Sequence, residues 1–588
     1  MRDRLLIRHF LLRFLEHDLV SPNADRHEVL SVAGGTLIAV SLFVAALIAL
    51  QYQFNNFLPP GLTSLRAVDE RFLFVSASML VMALLAVALW DALALDARDT
   101  AVLGVLPVPR YAIIRAKFAA IALLAAGTAL GWNLFPILLR CVSLPIGLPI
   151  GFVGVAVLTI AHAIVTLAAG AFGFLIVLAF REGLAAVLGP ARFHAVSSTV
   201  QAALVVVLTS ALLMLPGTYA GVAQTWIARD GFASYVLPPL WFVGLHETMA
   251  GSVIDSLPRT RPADFLVAAE RSATELYRRL WPTYRQLGRV AAGALAVVVI
   301  LTIALCAWNA RRLPTPVVGR RRPRRRMSLA SRWAVARFLA RSPLQQAGFW
   351  FTLQTMPRRV THRVALASGL AVGLSFIVVT VRARVVATQT DIASIPLVML
   401  AAQPLLLACV LTAFRHAAQL PAELRASSTF SLAWSGERRP YLSGVKRAGV
   451  VALVVPVLAM LFVWHSAVLG VRVAVLHFGT GLVSAALMME VLFVRYRRLP
   501  FVSGYVPSSD LKSRGPAYVG ALLLVCYALA WIERSTLATA AYVLVLVSVI
   551  AALTACVAAF DRASVPSATA LDLDEEIPLP TQRLNLAG

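Results

Sequence analysis

Two pairs of adjacent residues in this chain have types that could carry chemistry. Asp69 and Glu70 form one pair, of the kind that an enzyme transferring a sugar from a lipid carrier would need. Arg71 follows them at the start of an apolar segment, where charges ordinarily anchor a helix at the membrane surface. His246 and Glu247 form the second pair, but no second histidine stands at the spacing that a zinc protease requires. We therefore predict no catalytic residues and no metal.

Groups that could bind a nucleotide or couple transport to an ion are sparse. No Gly-Lys dipeptide occurs, so a Walker-type phosphate loop is absent and we predict no cofactor. Ion-coupled carriers retain ionisable side chains inside the membrane despite their cost. We identify only two ionisable side chains inside the predicted spans, His162 and Glu490. We expect a neighbour to satisfy His162, and Arg495 and Arg497 to reach Glu490. Energy for transport would then come from outside the chain.

The composition predicts that these residues lie in a membrane protein. Hydrophobic residues make up 59% of the 588 positions and charged residues only 14%, about half the charged share of a soluble domain. The net charge of +25 lies in loops between apolar segments, so we predict no nucleic-acid partner. The five cysteines stand singly, without metal or redox spacing.

Twelve apolar segments are long enough to span a bilayer as helices. They are 30–50, 72–95, 117–138, 150–180, 196–216, 290–310, 364–381, 393–414, 448–468, 473–494, 516–533 and 538–559. With both termini placed in the cytoplasm, cytoplasmic segments hold 38 of the 53 Lys and Arg residues and the short outer loops hold 7. We predict an all-α polytopic integral membrane protein of about 12 helices in a 6+6 pseudo-repeat, both termini cytoplasmic.

Breaks in the hydropathy pattern predict the domain organisation. Residues 1–310 form a first six-helix unit, with an interfacial N-terminal helix and a long outer segment at 217–289. A basic cytoplasmic linker, 311–343, contains six arginines in the run 320–326 and would attract anionic lipid headgroups, worth about 1 kcal/mol per residue. A second six-helix unit follows at 344–560. The acidic tail 561–588 is predicted to be disordered.

The cytoplasmic loop after the second span carries the most specific pattern. We predict a short helix that begins near two aspartates, where carboxylates suit the positive end of the helix dipole, and stops at two prolines. A new helix then returns to the membrane. The residues that define the pattern are Asp96, Asp99, Leu103, Leu106, Pro107, Pro109, Arg110 and Lys117.

This segment resembles the loop with which permeases of type-2 ABC exporters dock on their ATPase. Residues from Asp99 to Lys117 match that pattern of an acid, two leucines, a proline, an arginine and a lysine. The interfacial helix before the first span and the long outer segment also resemble that family, over 1–310. In the second half the equivalent loop lacks the Leu-Pro core. Its candidate docking residues are Glu423, Arg425, Arg438, Arg439 and Lys446.

The outer segment contains an apolar stretch that two prolines interrupt, too short to span. We predict a re-entrant or interfacial helix that caps the outer mouth through Pro238, Pro239, Trp241 and Phe242, followed by a water-facing helix near 262–280. The similar stretch Leu499 to Pro507 receives no role.

Together these features predict a permease subunit of an ATP-driven exporter, not itself an enzyme. The resemblance implies a separately encoded ABC ATPase as partner and multi-pass insertion in the bacterial cytoplasmic (inner) membrane. Two alternatives stay open: a secondary, ion-coupled transporter of twelve helices, and a membrane glycosyltransferase that uses a lipid-linked sugar through Asp69 and Glu70.

Overall fold

A computed structural model gives the arrangement of most of the chain. It describes residues 2–15, 26–54, 60–90, 109–147, 151–219, 221, 233–255, 264–311, 339–382, 395–422, 437–496, 499–502 and 510–564. The described residues are helical apart from short turns and contain no strand. They divide into two compact units, Met1–Arg320 and Arg321–Gly588, which are described separately.

Fifteen α-helices make up the described part of the chain. Those of the first unit are α1 (Arg2–Leu15), α2 (Arg26–Phe54), α3 (Pro60–Ala88), α4 (Arg110–Gly147), α5 (Phe152–Thr218), α6 (Pro238–Asp255) and α7 (Asp264–Arg311). Those of the second are α8 (Pro343–Thr355), α9 (Val360–Arg382), α10 (Leu397–Gln419), α11 (Arg438–Gly449), α12 (Val455–Leu469), α13 (Val471–Leu492), α14 (Asp510–Thr536) and α15 (Ala540–Ser564). A π-helical turn, Val450–Val454, joins α11 to α12.

The prediction of an all-α polytopic membrane protein is confirmed. Within the described residues, 11 helical segments are long and apolar enough to cross a bilayer, five in the first unit and six in the second. The first predicted span falls in α2, whose described apolar part, Gly34–Leu50, is shorter. A membrane-crossing chain adopts helices because each helix satisfies its own backbone hydrogen bonds.

Glycine in α5 allows this long helix to touch α3 closely. A Cβ atom on Gly173 would lie 2.2 Å from the carbonyl oxygen of Met79, so α5 and α3 meet backbone to backbone there. Small residues at such contacts are typical of helices packed in membranes. The predicted fourth and fifth spans both lie in α5, which kinks at Gly189, where φ is 70°.

The outer segment of the first unit differs from the prediction. The paired prolines Pro238 and Pro239 begin α6 rather than break it, because the first turn of a helix needs no backbone donor. The helix predicted near 262–280 does not stand apart and does not simply face water. It forms the first half of α7, where Tyr277 is buried. A Cβ on Gly244 of α6 would lie 2.4 Å from the Tyr284 carbonyl oxygen, so α6 and α7 are in backbone contact.

In the second unit α10 is the central helix, and most of its residues are buried. Gly369 and Gly373 of α9, spaced as Gly-x-x-x-Gly, lie against α10 at Cys409 and Leu406. Residues Leu499 to Val502, part of the stretch to which the sequence assigned no role, cover the end of α10. There the Phe501 backbone N–H donates to the Ala418 carbonyl oxygen at 2.8 Å.

Candidate functional site

Most of the predicted docking loop in the first unit, including Asp96, Asp99, Leu103, Leu106 and Pro107, lies outside the described residues. Pro109 is exposed, and Arg110 is the first residue of α4. Lys117 is buried under α1, with its ammonium 5.7 Å from the centre of the Phe10 ring. Phe10 and Leu6 pack on Ile113, Ala116 and Ala120 of α4. The N-terminal helix, predicted to be interfacial, therefore packs apolar side chains against protein.

Three of the five docking candidates in the second unit lie together, while Glu423 and Arg425 fall outside the described residues. Arg438, Arg439 and Lys446 line a cleft of about 320 Å³ along with Glu490 and Asp561. The Lys446 ammonium is 2.6 Å from Glu490 Oε2. Arg495 was predicted to reach Glu490. In the structure its guanidinium lies over the Phe560 ring instead, 5.3 Å from the ring centre.

The four predicted cap residues occupy the start of α6. Phe242 is fully buried against Phe172, with ring centres 5.5 Å apart, and Trp241 is half-buried beside the same ring at 6.0 Å. Pro238 and Pro239 are also half-buried. These residues fasten α6 to α5 within the first unit.

A buried ion pair that the sequence did not reveal joins α3, α6 and α7. The guanidinium of Arg71 contacts the Glu247 carboxylate, and both side chains are at most 1% exposed. The hydroxyl group of Tyr277 donates to Glu247 Oε2 at 2.6 Å. The place of Arg71 at the edge of an apolar segment had suggested an anchor at the membrane surface. Because Arg71 is buried, it does not have that role.

Two histidines extend this cluster. His246 Nδ1 is 3.6 Å from Glu247 Oε1, and the His246 ring is 6.2 Å from the ring of His162. His162 is completely buried, and within the described residues neither of its ring nitrogens has a hydrogen-bond partner. The expected polar neighbour of His162 is not found; its contacts are with aromatic rings, including that of Phe74 at 5.5 Å.

The charge states of the two α6 residues follow from burial and from Arg71. Burial alone raises the pKa of a carboxyl group, but the Arg71 guanidinium outweighs it and, with the hydrogen bond from Tyr277, lowers the pKa of Glu247 to about 2. Burial, reinforced by Arg71, lowers the pKa of His246 to about 4. At neutral pH Glu247 is therefore a carboxylate and His246 is neutral.

The acid pair considered for sugar transfer lies next to this cluster and is buried as well. Asp69 Oδ2 accepts the backbone N–H of Gly221 at 2.9 Å. Gly221 has a φ of 72°, a left-handed conformation that favours glycine. Asp69 thus ties α3 to the segment that follows α5.

The second unit has its own buried cluster, in which the carboxylate pairs with a histidine rather than with an arginine. His477 Nδ1 of α13 is 2.7 Å from Glu533 Oε1 of α14, and the Thr480 hydroxyl donates to the same oxygen. The Gln403 amide of α10 donates to the His477 carbonyl oxygen at 2.6 Å. The His465 ring of α12 lies 4.7 Å from the His477 ring, nearly perpendicular to it. All of these side chains are buried.

We compared the chain with protein-family models, with curated proteins and with solved structures. None of them matches. The proposals below therefore rest on the residues of this chain.

Both clusters were missed because each is assembled from distant parts of the chain. Arg71 and Glu247 are 176 positions apart, and His477 and Glu533 are 56 apart. In the sequence nothing links Arg71 to Glu247 or His477 to Glu533, because the two members of each pair belong to different apolar segments. The sequence did contain one usable feature. An ionisable side chain inside a membrane segment is costly, so each such residue predicts a buried partner elsewhere in the chain.

Proposed function

We propose that this chain is the membrane-spanning permease subunit of an ATP-driven exporter in a bacterial cytoplasmic membrane. A separately encoded ATPase would dock on the loops 96–117 and 415–447, which are predicted to be cytoplasmic. The observation that carries this proposal recurs in both units. In each, a short helix that precedes the first span packs against the start of the third span, where the candidate docking residues lie.

The contact in the first unit is between α1 and α4, through Phe10 and Lys117. In the second unit it is between α8 and α11. A Cβ on Gly348 would lie 2.3 Å from the Tyr441 carbonyl oxygen, and one on Gly444 would lie 2.1 Å from the Gln345 carbonyl oxygen. Helices in such close contact move together, so a push on either loop would displace both the short helix and the third span. This is how ATPase closure would reach the membrane helices.

Charge reversal in the first loop tests the docking. The genome is searched for an ABC ATPase gene next to this chain, and its product is co-expressed with the chain. The variants Asp99→Arg and Arg110→Glu are then compared with the control Arg8→Glu, an exposed position on α1. We expect the two loop variants to lose co-purification with the ATPase and stimulation of its activity, while the control retains both. Unchanged association and hydrolysis in both loop variants would refute the docking.

An ion-coupled carrier is the second candidate, and the buried clusters favour it. The sequence suggested few ionisable groups inside the membrane, whereas Arg71, Glu247, His477 and Glu533 are all buried. A charge in the middle of a bilayer costs at least about 2.5 kcal/mol, so such groups persist where they perform a function or are firmly paired. The chain alone, reconstituted in liposomes with an imposed pH gradient, is screened against pools of small molecules. Uphill accumulation of any compound would favour this candidate over the first.

A further inference from the structure

The second unit contains a buried carboxylate whose partner can change its charge. Glu533 pairs with His477 at 2.7 Å, and both side chains are at most 3% exposed. An imidazole is the one side chain whose ordinary titration falls near neutral pH. A guanidinium, as in the Arg71 pair of the first unit, stays charged at any pH that a folded protein experiences. The two ion pairs therefore differ in whether a partner can exchange a proton near neutral pH.

We propose that His477 Nε2 is a proton-binding site inside the membrane part of this protein, with Glu533 as the counter-charge. Because a carboxylate only accepts hydrogen bonds, the hydrogen of the contact with Glu533 belongs to Nδ1 of His477, and this tautomer leaves Nε2 as the acceptor. A proton arriving from water forms the Nε2–H bond, and the pair passes from a net charge of −1 to neutral. Release of the proton breaks that bond and restores the charge.

The surroundings of Nε2 suit a proton better than a larger ion. Within the described residues, Nε2 of His477 and Nε2 of His465 are buried without a hydrogen-bond partner. The centres of the two rings are 4.7 Å apart, so the imidazoles are in van der Waals contact beside the site. The described residues contain no group of three or more His, Cys, Asp or Glu side chains that could hold a metal ion.

Four of the helices packed around the pair contribute a polar group, whereas α15 contributes the apolar side chains of Val543 and Val547. The polar groups are Gln403 from α10, His465 from α12, His477 and Thr480 from α13, and Glu533 from α14. Arg472 and Arg534 lie at the nearby helix ends, where Arg472 is exposed and Arg534 half-buried. Apolar side chains, including Ile395, Leu400 and Val473, fill the neighbouring core. The net charge of the pair is thus set mainly by the proton on His477.

The site lies close to the ends of its helices that are predicted to face outward. His465 is four residues from the end of α12, and Glu533 is three residues from the end of α14. At 1.5 Å per residue these positions are only about 5–6 Å from the helix ends. The site therefore lies near one face of the unit rather than halfway through it.

Binding of a proton would change how three helices are joined. The bond between His477 and Glu533 links α13 to α14, and the bond from Gln403 links α10 to the same turn of α13. The bond to Glu533 is charge-assisted on both sides only while His477 carries the extra proton, and such bonds are about twice as strong as neutral ones. Loss of the proton would loosen the α13–α14 contact. This inference does not depend on ATPase docking, so the two can fail separately.

The test is a titration of the histidine side chains by nuclear magnetic resonance. The full chain carries ¹⁵N-labelled imidazoles and is embedded in lipid bilayers. The signals of its 10 histidines are followed between about pH 5 and pH 9, the range that brackets ordinary imidazole titration. The variant His477→Gln identifies the signal of the site. We expect that signal to report a reversible gain of one proton at Nε2 while Nδ1 stays protonated.

Two carboxylate variants separate the proposal from a structural role. Glu533→Gln keeps the shape but removes the charge, and we expect the proton affinity of His477 to fall about 10- to 1,000-fold, as for loss of an opposite charge at this distance. Glu490→Gln, which breaks the partly exposed pair with Lys446, should leave the titration unchanged. Glu533→Asp should recover part of the loss.

Two results would overturn the proposal. One is a His477 signal in the unaltered protein that stays in a single protonation state across the whole pH range. The other is a titration that Glu533→Gln does not move. Because the first result needs only the unaltered protein and the assignment of one signal, it holds even if Glu533→Gln does not fold.

Discussion

The ion pair between Arg71 and Glu247 provides a measure of how strongly the buried cluster holds the first unit together. Their side chains are 1% and 0% exposed, so neither water nor salt screens the pair. Removal of one partner from a buried pair costs about 3–5 kcal/mol, because the other charge stays buried without compensation. We expect Glu247→Gln to lower the free energy of unfolding by at least about 3 kcal/mol. Tyr277 also loses a charged acceptor, which adds to the loss.

The second unit offers a matched control for this variant. The pair between Lys446 and Glu490 has side chains that are 15% and 24% exposed. Water screens such a pair, so Glu490→Gln should cost less than about 1 kcal/mol. A double variant, Arg71→Met with Glu247→Met, removes both buried charges at once. It should recover most of the loss, because no uncompensated charge remains.

Unfolding of the purified chain in mixed micelles with increasing sodium dodecyl sulfate gives the free energies. Tryptophan fluorescence reports the transition, and Trp281 lies beside the cluster, 5.9 Å from the Tyr277 ring. Equal losses for Glu247→Gln and Glu490→Gln would refute the assignment of a stabilising buried pair. A double variant no more stable than Glu247→Gln would refute the account of an uncompensated charge.

Three further predictions concern the first unit. Gly244→Val should separate α6 from α7 and lower thermal stability by several degrees, because its side chain would meet the Tyr284 carbonyl oxygen; Gly293→Val, where space is open, is the control. The pKa of His246 is lowered from 6.5 to about 4, so the unfolded chain takes up a proton at higher pH than the folded chain does. The melting temperature should therefore be unaffected by this group above pH 6.5 and should fall as the pH drops from 6.5 to 4. His246→Phe should reduce that fall. Asp69→Asn should weaken the contact between α3 and the segment after α5. We expect neither the unaltered chain nor this variant to transfer sugar from a lipid carrier. If the unaltered chain transfers sugar and Asp69→Asn abolishes the transfer, the chain is a glycosyltransferase.

The membrane helices could be predicted because hydropathy reflects a physical requirement that acts along the chain. All twelve predicted segments overlap described helices. Their ends were less predictable: α3 begins at Pro60 rather than near Phe72, and α7 begins at Asp264 rather than near residue 290. A helix continues beyond its apolar part when tertiary contacts support it, as burial of Tyr277 supports the first half of α7.

The buried clusters could not be predicted because burial depends on contacts between distant residues. Arg66 and Arg71 stand five positions apart at the same edge of an apolar segment, yet Arg66 is exposed and Arg71 is buried. Only the packing of α6 against α3 distinguishes them. The sequence did contain signals for close packing, such as the pair Gly369 and Gly373, which are spaced for contact between membrane helices.

The partner of a buried carboxylate determines what that carboxylate can do. Arg71 holds Glu247 charged at all ordinary pH values, so this pair can tie helices together but cannot exchange a proton. His477 gives Glu533 a partner whose charge is variable. Replacing the first pair with an apolar one should therefore alter stability without removing a proton-binding partner of the pair, whereas replacing Glu533 should alter the proton equilibrium of His477 even where stability is kept. If both substitutions changed only stability, the distinction between the units would fail, and the second cluster would be structural like the first.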